Sequence, residues 1–245
     1  MTQFISLPYS PWSEKARWAL DHHRIERRDI GYVPMLGEPY LRYKLGRFTG
    51  RVTVPVLLDE MGVWADSFDI AKRADTIGSS PKLFPEGAEA EIRRWNALSE
   101  EVLAASRVLS LRRCAESPAA IQEMLPPFFP RALRPHLIPV GQNAVRFMTR
   151  KYSLNATTDA AAEATIRAGL ERLASALEGA GGYLLEGRLS YADIVMAVAM
   201  QLVAPVDDRY IRLGPETRKR CTVDPLVAKF AGLVKWRDEL YQKHR

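Results

Sequence analysis

The sequence predicts an α/β domain followed by an all-helical domain, and three observations carry that expectation. Residues 1–78 alternate β-rich runs with amphipathic ones, while residues 88–245 are helical in pattern almost throughout. Between them "TIGSSPKLFPEGAEAE" holds two glycines, two prolines and two serines, so residues 79–87 read as a linker. The chain has 245 residues, 47% of them hydrophobic, which suffices for two modest packed domains.

In the first domain a strand is expected from Thr2 to Leu7. It is followed by the helix of "YSPWSEKARWAL", in which Ser10 takes the N-cap position, Pro11 the first helical position, and Ala16, Ala19 and Leu20 share an apolar face. A second strand is expected from Arg28 to Val33, then an irregular helical piece through "GEPYLRYKLGRF". In "VTVPVLLDEMGVWA" two β-rich runs meet at a turn from Asp59 to Gly62 and predict a hairpin. The helix "DSFDIAKRADTI", ending near Thr76, completes the order βαβαββα.

The second domain starts near Ala88 with the long amphipathic "AEAEIRRWNALSEEVLAASRVLSLRRCA", then "SPAAIQEML", capped by Ser117 with Pro118 in the first position. Prolines 126, 127, 130, 135 and 139 then break helix continuation, so "LPPFFPRALRPHLIP" predicts an irregular or short-helix excursion carrying Phe128 and Phe129. Helices resume at "VGQNAVRFMTRKY", "TTDAAAEATIRAGLERLASALEGAGG", "SYADIVMAVAMQLV" and "DPLVAKFAGLVKWRDELYQKH". No internal repeat or low-complexity tract is present.

Charge and cysteine usage narrow the function classes. The 35 Lys and Arg against 29 Asp and Glu are dispersed, and the densest basic spots, "RKYSLN" and "ETRKRC", read as solvated faces, so no nucleic-acid partner is expected. The longest apolar run, "IVMAVAMQLVAPV", falls short of the roughly 18 residues of a membrane span and predicts a buried helix. "MTQFISLPYS" lacks a basic segment followed by a long apolar run; no signal peptide is expected there, and the protein is expected in the cytoplasm, away from membranes. Cys114 and Cys221 stand far apart in no CxxC spacing, which suggests ordinary thiols in a reducing compartment, with neither a disulfide framework nor a metal site.

Most catalytic constellations fail on residue type. There is no GxSxG elbow and no GxxxxGK[ST], and "GAGGYLLEG" lacks the GxGxxG spacing. His22 and His23 follow Ser10 on the same expected helix at about 18 Å, too far to act as its base, and being adjacent they point to different faces. What survives is Ser10 as a hydrogen-bond donor to a substrate thiolate at the helix N-terminus. A thiol of pKa near 8.5 is only a few per cent ionised at pH 7, and lowering that pKa by about two units takes roughly 2.7 kcal/mol. A hydrogen bond to a charged group supplies about 1.5–3 kcal/mol and the helix terminus roughly 0.3–1 more.

Two further stretches fit such a ligand. In "TVPVL", Pro55 is either an edge-strand proline or a cis-proline that leaves the backbone of Val54 free to pair with a ligand's peptide groups. In "WADSFDIAKRA", Asp66 and Ser67 are helix caps that could also hold an ammonium and a carboxylate.

Together "SPWSEKARWAL", "VPVL" at 54–57 and "ADS" at 65–67 resemble the glutathione transferase family, and so do "LFPEG…IRRW" and the capping box of "LEGRLSYADIVMA", with Ser190 as cap and Asp193 three residues on. The resemblance implies a thioredoxin-like N-terminal domain, an all-helical C-terminal domain, glutathione as co-substrate, no metal, and a homodimer. It implies that Ser10 stabilises the glutathione thiolate, with Tyr9 and Ser13 as alternative donors. Val54 and Pro55 would meet the cysteinyl part, Asp66 and Ser67 the γ-glutamyl end, with Arg51 a further contact. Here Asp66 stands where the family usually has glutamate, and "GRVTVPVL" is two residues longer than the common "GKVPVL". Trp12, Phe128, Phe129 and Tyr152, with Tyr9, are the aromatic candidates for an electrophile pocket between the domains.

Relatives that exchange disulfides carry cysteine at the position of Ser10, and some a second at Ser13. Both are serine here, which favours conjugation, elimination or isomerisation of a small apolar electrophile, as in detoxification, over glutathione-dependent reduction. A binding or scaffold protein that keeps the fold without turnover is the alternative.

Overall fold

A computed structural model describes residues 1–126, 128–185 and 187–245; the interruption expected at Pro127 lies outside the described residues. In the N-terminal part β1 (Gln3–Ser6), α1 (Pro11–His22), β2 (Arg28–Gly31), α2 (Glu38–Leu45), β3 (Val56–Asp59), β4 (Gly62–Trp64) and α3 (Ser67–Ile77) follow the expected order. They build a four-stranded sheet ordered β2-β1-β3-β4, with β1 parallel to β2 and antiparallel to β3. Phe4 lies opposite Leu57 and packs with the residues of α1 and α3, whereas Ile5 lies opposite Val56 and packs with Leu41 of α2. The two-residue period of β1 therefore separates two apolar layers, and one residue of slip would exchange them.

Local chemistry sets the helix ends. The Asp66 carboxylate accepts from the Phe68 N–H at 2.7 Å at the start of α3. Helix α2 is regular where an irregular piece was expected: Pro39 sits in its first turn, and it stops at Gly46, whose φ of 62° is the left-handed conformation that glycine adopts without a Cβ penalty. The second strand ends at Gly31, two residues earlier than the β-rich pattern suggested.

The rest is helical: α4 (Glu89–Ala115), α5 (Pro118–Met124), α6 (Ile138–Lys151), α7 (Asp159–Leu177), α8 (Tyr191–Ala199), α9 (Pro215–Cys221), α10 (Asp224–Lys229) and α11 (Ala231–His244). The proline-spaced stretch becomes a 3₁₀ segment, Arg131–Leu137, that leads directly into α6. Helix α8 passes into a 3₁₀ turn at Met200–Leu202, and the last expected helix is split at Phe230. "ETRKRC" lies in α9, begun by Gly214 and Pro215, and Arg218 donates to the carbonyls of Pro205 and Val206 at 2.9 and 2.8 Å, so this basic run is partly spent on holding a loop. Gly169 of α7 faces Val102 of α4 so closely that an added Cβ would lie 2.3 Å from its methyl, which explains a glycine inside that helix. Among the described residues no helix is long and apolar enough to cross a membrane.

Helix α8 is buried along its whole length between α4 and the α1 side of the first domain. Its first turn joins the two parts: the Tyr191 N–H donates to the Leu83 carbonyl at 2.8 Å and the Tyr191 hydroxyl to the Ser67 carbonyl at 3.0 Å. The buried Asp193 carboxylate accepts from the Leu184 N–H at 2.7 Å, the Ser190 N–H at 2.8 Å and the Ser190 hydroxyl at 2.7 Å. Asp193→Ala leaves these donors without an acceptor, and each orphaned buried donor costs about 1–3 kcal/mol. A loss of at least about 2 kcal/mol in urea unfolding is expected, against about 1 kcal/mol for Ser190→Ala.

Candidate active site in the cleft between the two parts

A cleft of about 760 Å³ runs from the start of α1, past the Val54–Pro55 bond and the start of α3, to the face of α4 and on to α9. Tyr9, Ser10, Trp12, Arg51, Val54, Pro55, Asp66, Ser67 and Tyr152 all line it. Ser13 and Phe129 are not among its lining residues, and neither is Phe128, which is 62% exposed and meets Phe129 at 4.6 Å between ring centroids with the rings tilted by 46°.

Ser10 occupies the N-cap position with extended backbone, yet its hydroxyl makes no capping hydrogen bond; the α1 turn is closed instead by the Ser10 carbonyl, which accepts from the Glu14 N–H at 2.9 Å. Among the described residues the hydroxyl has no partner, and Ser10 lines the cleft. Ser13 is fully buried, and its hydroxyl accepts from the Leu7 N–H at 3.1 Å, which commits it to the loop before α1. Tyr9 is half-buried, and desolvation pushes its phenol up to about 12, so at neutral pH it is a protonated donor.

The Val54–Pro55 peptide is cis, and among the described residues the Val54 N–H and carbonyl pair with no other group. At the start of α3, Oδ1 of Asp66 is spent on the Phe68 N–H and Oδ2 has no partner among the described residues. Burial pushes the Asp66 carboxyl above its ordinary value, against the Phe68 hydrogen bond that lowers it. Ser67 is buried; its carbonyl accepts from Tyr191, while its hydroxyl is unspent among the described residues.

The α4 wall carries groups that sequence reasoning missed. Lys15 of α1, fully buried, donates to the Ser99 hydroxyl at 2.6 Å and to Glu100 at 2.7 Å, and the other Glu100 oxygen accepts from the Trp12 indole N–H at 2.5 Å. Burial pushes the Lys15 ammonium below its ordinary value, and Glu100 opposes that. About two turns further along α4, the Arg107 guanidinium lies over the Trp12 ring at 3.7 Å and the Tyr152 ring at 3.9 Å, and desolvation pushes it down to about 10. At the far end Cys114 and Cys221, distant in sequence and expected to be unrelated thiols, meet: a hydrogen bond from Cys221 lowers the Cys114 thiol, and the same bond with burial raises Cys221. His22 and His23 lie off the cleft with separate partners, the Pro81 carbonyl and Asp75, each at 2.8 Å. Among the described residues no three His, Cys, Asp or Glu side chains cluster as metal ligands.

The strand order, the cis-proline before β3 and the unspent groups at two helix N-termini define a thioredoxin-like domain joined to a helical one. Residues 9–77 match the sequence profile of the glutathione S-transferase N-terminal domain. A glutathione transferase of Phanerochaete chrysosporium superposes with a TM-score of 0.68 at 20% identity, covering 100% of this chain and 97% of its own. A glutathione S-transferase of Ceriporiopsis subvermispora, solved in complex with glutathione, gives 0.60 at 21% identity, covering 95% and 97%. One of Methylobacillus flagellatus with glutathione bound gives 0.53 at 19%, covering 95% and 98%. At these identities the likeness is one of fold. No curated protein matches the chain in sequence. Residues 9–77 thus carry the sequence signature of the glutathione S-transferase N-terminal domain, and over its whole length the chain has the fold of these glutathione transferases.

The Lys15–Glu100–Trp12 linkage makes a prediction of its own. Glu100→Ala strands a buried ammonium and should lower stability by at least about 2 kcal/mol, whereas adding Lys15→Met removes the stranded charge and should restore most of the loss in a chemical-denaturation cycle.

Proposed function

We propose that the protein is a glutathione transferase that uses the thiolate of bound glutathione to attack a small electrophile. The observation that carries this reading is that four polar features face one cleft without a protein partner of their own among the described residues: the Ser10 hydroxyl, the Val54 backbone, Oδ2 of Asp66 and the Ser67 hydroxyl. Their chemistry matches the γ-glutamyl and cysteinyl parts of glutathione. Asp66 accepts from the α-ammonium of the γ-glutamyl end, and the Ser67 hydroxyl, at the start of α3, donates to its carboxylate. The Val54 backbone pairs with the cysteinyl backbone, and Ser10 donates to the sulfur. The thiol proton leaves to solvent, the thiolate forms a bond to the electrophilic carbon, and the leaving group departs with its electron pair or, in an addition, the pair moves onto the electrophile.

Ser10 is preferred to Tyr9 as the sulfur donor because it stands at the N-terminus of α1, where the helix dipole favours a thiolate, and its hydroxyl makes no capping hydrogen bond. With serine at positions 10 and 13 no mixed disulfide can form there, which supports conjugation over reduction. The electrophile lies against the α4 wall, where Trp12 and Tyr152 offer aromatic surface.

Glutathione at a hundred times its dissociation constant should stabilise the fold by about 2.7 kcal/mol, a melting shift of about 5–10 °C for a chain of this size. Absence of any shift rejects the reading. Ser10→Ala should bind glutathione but conjugate an aryl halide roughly 10- to 100-fold more slowly, the loss of one hydrogen bond to a charged sulfur, while Tyr9→Phe should stay within a few-fold of wild type. Full activity in Ser10→Ala would leave that residue as a helix start only.

The raised Asp66 carboxyl gives a pH signature. As pH falls through its elevated pKa the carboxylate gains a proton and loses its hold on the ammonium, so glutathione affinity should decline above the pH at which an ordinary aspartate, near 3.9, would titrate. Asp66→Asn should weaken binding at neutral pH by about tenfold and abolish this dependence in calorimetric titrations.

A further inference from the structure

Two arginines converge on Tyr152 in the cleft without a carboxylate between them. Arg107 lies 3.9 Å from the Tyr152 ring centroid and 3.7 Å from that of Trp12, and Arg51 lies 5.5 Å from the Tyr152 ring. Among the described residues neither guanidinium donates a hydrogen bond or joins an ion pair; Glu100 favours the Arg107 charge from a distance and Arg51 opposes it. The nearby anion, Glu100, has one oxygen on Lys15 and the other on Trp12. Arg107 itself lines the cleft. A half-buried cation held beside a like charge with unused donors is an unbalanced arrangement, and a planar anion restores the balance.

We propose that Arg107, assisted by Arg51, binds the carboxylate of an aromatic second substrate, so that the electrophiles suited to this protein are aromatic acids rather than purely apolar molecules. This rests on the reading of the cleft as a two-substrate site and names the class of the second substrate. The shared chemistry is a carboxylate, and glutathione carries carboxylates too. The lining of α4 beside Arg107 selects between the two sources. Ala104, Val108 and Leu111 lie on the cleft side of the same helix, and Met148 joins them, so the guanidinium is flanked by apolar surface that an aromatic frame covers and a peptide does not. A guanidinium meets a carboxylate through two parallel hydrogen bonds, a geometry that an ammonium cannot reproduce.

The test is calorimetric titration with 2-naphthoate and with its neutral isostere 2-acetonaphthone, each in the absence and presence of glutathione, on wild type, Arg107→Gln and Arg107→Lys. Wild type should bind the naphthoate at least about tenfold more tightly than the ketone, as expected for a charge-assisted bidentate contact. Arg107→Gln should erase that preference while keeping its affinity for the ketone, and Arg107→Lys should retain only part of it. Equal affinity of wild type for the two probes overturns the proposal. So does an intact naphthoate preference in Arg107→Gln, or a loss of glutathione affinity in that variant with no change in the naphthoate preference, which would assign the site to glutathione's own carboxylate. If glutathione fails to bind but the naphthoate preference is present and depends on Arg107, the carboxylate site stands and only the transferase reading falls. Should Arg107→Gln not fold, Arg107→Lys and Arg51→Gln carry the comparison, each expected to narrow the preference, and an unchanged preference in both overturns the proposal.

Discussion

The buried ammonium of Lys15 is the constraint around which the cleft is organised. It lies at the second turn of α1, fully removed from solvent, and both its hydrogen-bond acceptors, Ser99 and Glu100, belong to α4. A buried cation costs several kcal/mol unless it is paired and hydrogen-bonded, so α1 and α4 have to stay at the separation at which those acceptors reach it. The same carboxylate takes the Trp12 indole, which sets the ring against which Arg107 stacks. Through this chain of contacts, the helix that presents Ser10 and the helix that forms the opposite wall are held in one geometry.

A second tie acts from the other side of α3. Tyr191, in the first turn of the fully buried α8, donates to the Ser67 carbonyl, and its backbone N–H reaches the Leu83 carbonyl in the segment between the two parts. Asp193 in turn holds the start of α8 through donors at Leu184 and Ser190. The start of α3 is thus supported from the helical domain, while Oδ2 of Asp66 and the Ser67 hydroxyl, on residues that line the cleft, are unspent among the described residues. Structural contacts and cleft-facing groups fall on different atoms of the same residues.

The features visible in the sequence share a physical property: each depends on atoms a few residues apart. Ser10 before Pro11, Asp66 before a helical run, and Pro55 inside a β-rich run are signals of one turn or one strand, and the structure brings all three to the same cleft because β1, β3 and the starts of α1 and α3 meet at one end of a small sheet. The capping box of Ser190 and Asp193 was readable for the same reason. The local pattern was less informative where a run could serve two purposes. "ETRKRC" has the composition of a solvated face, yet α9 spends Arg218 on the Pro205 and Val206 carbonyls, and the only local hint was the Gly214–Pro215 start. Phe128 and Phe129 carried the right side chains for a pocket, but the fold leaves both off the cleft lining and against each other.

By itself the sequence determined the alternation of strands and helices, the seam between two parts, and the short-range caps and prolines that shape one end of the cleft, because periodicity, capping and proline geometry act within a turn or a strand. Only the tertiary structure decided which side chains face one another across the cleft. Arg107 over Trp12 and Tyr152, Lys15 against Glu100, and Cys114 beside Cys221 all join residues from distant parts of the chain. Which face of a 27-residue helix becomes the cleft wall is set by its packing against α7 and α8, where Gly169 admits Val102 at a distance no other residue would allow. Helical periodicity marks a buried stripe on such a helix, but it cannot say which charged residue at the edge of that stripe is left without a partner, since burial and pairing of a charge are properties of the assembled surface.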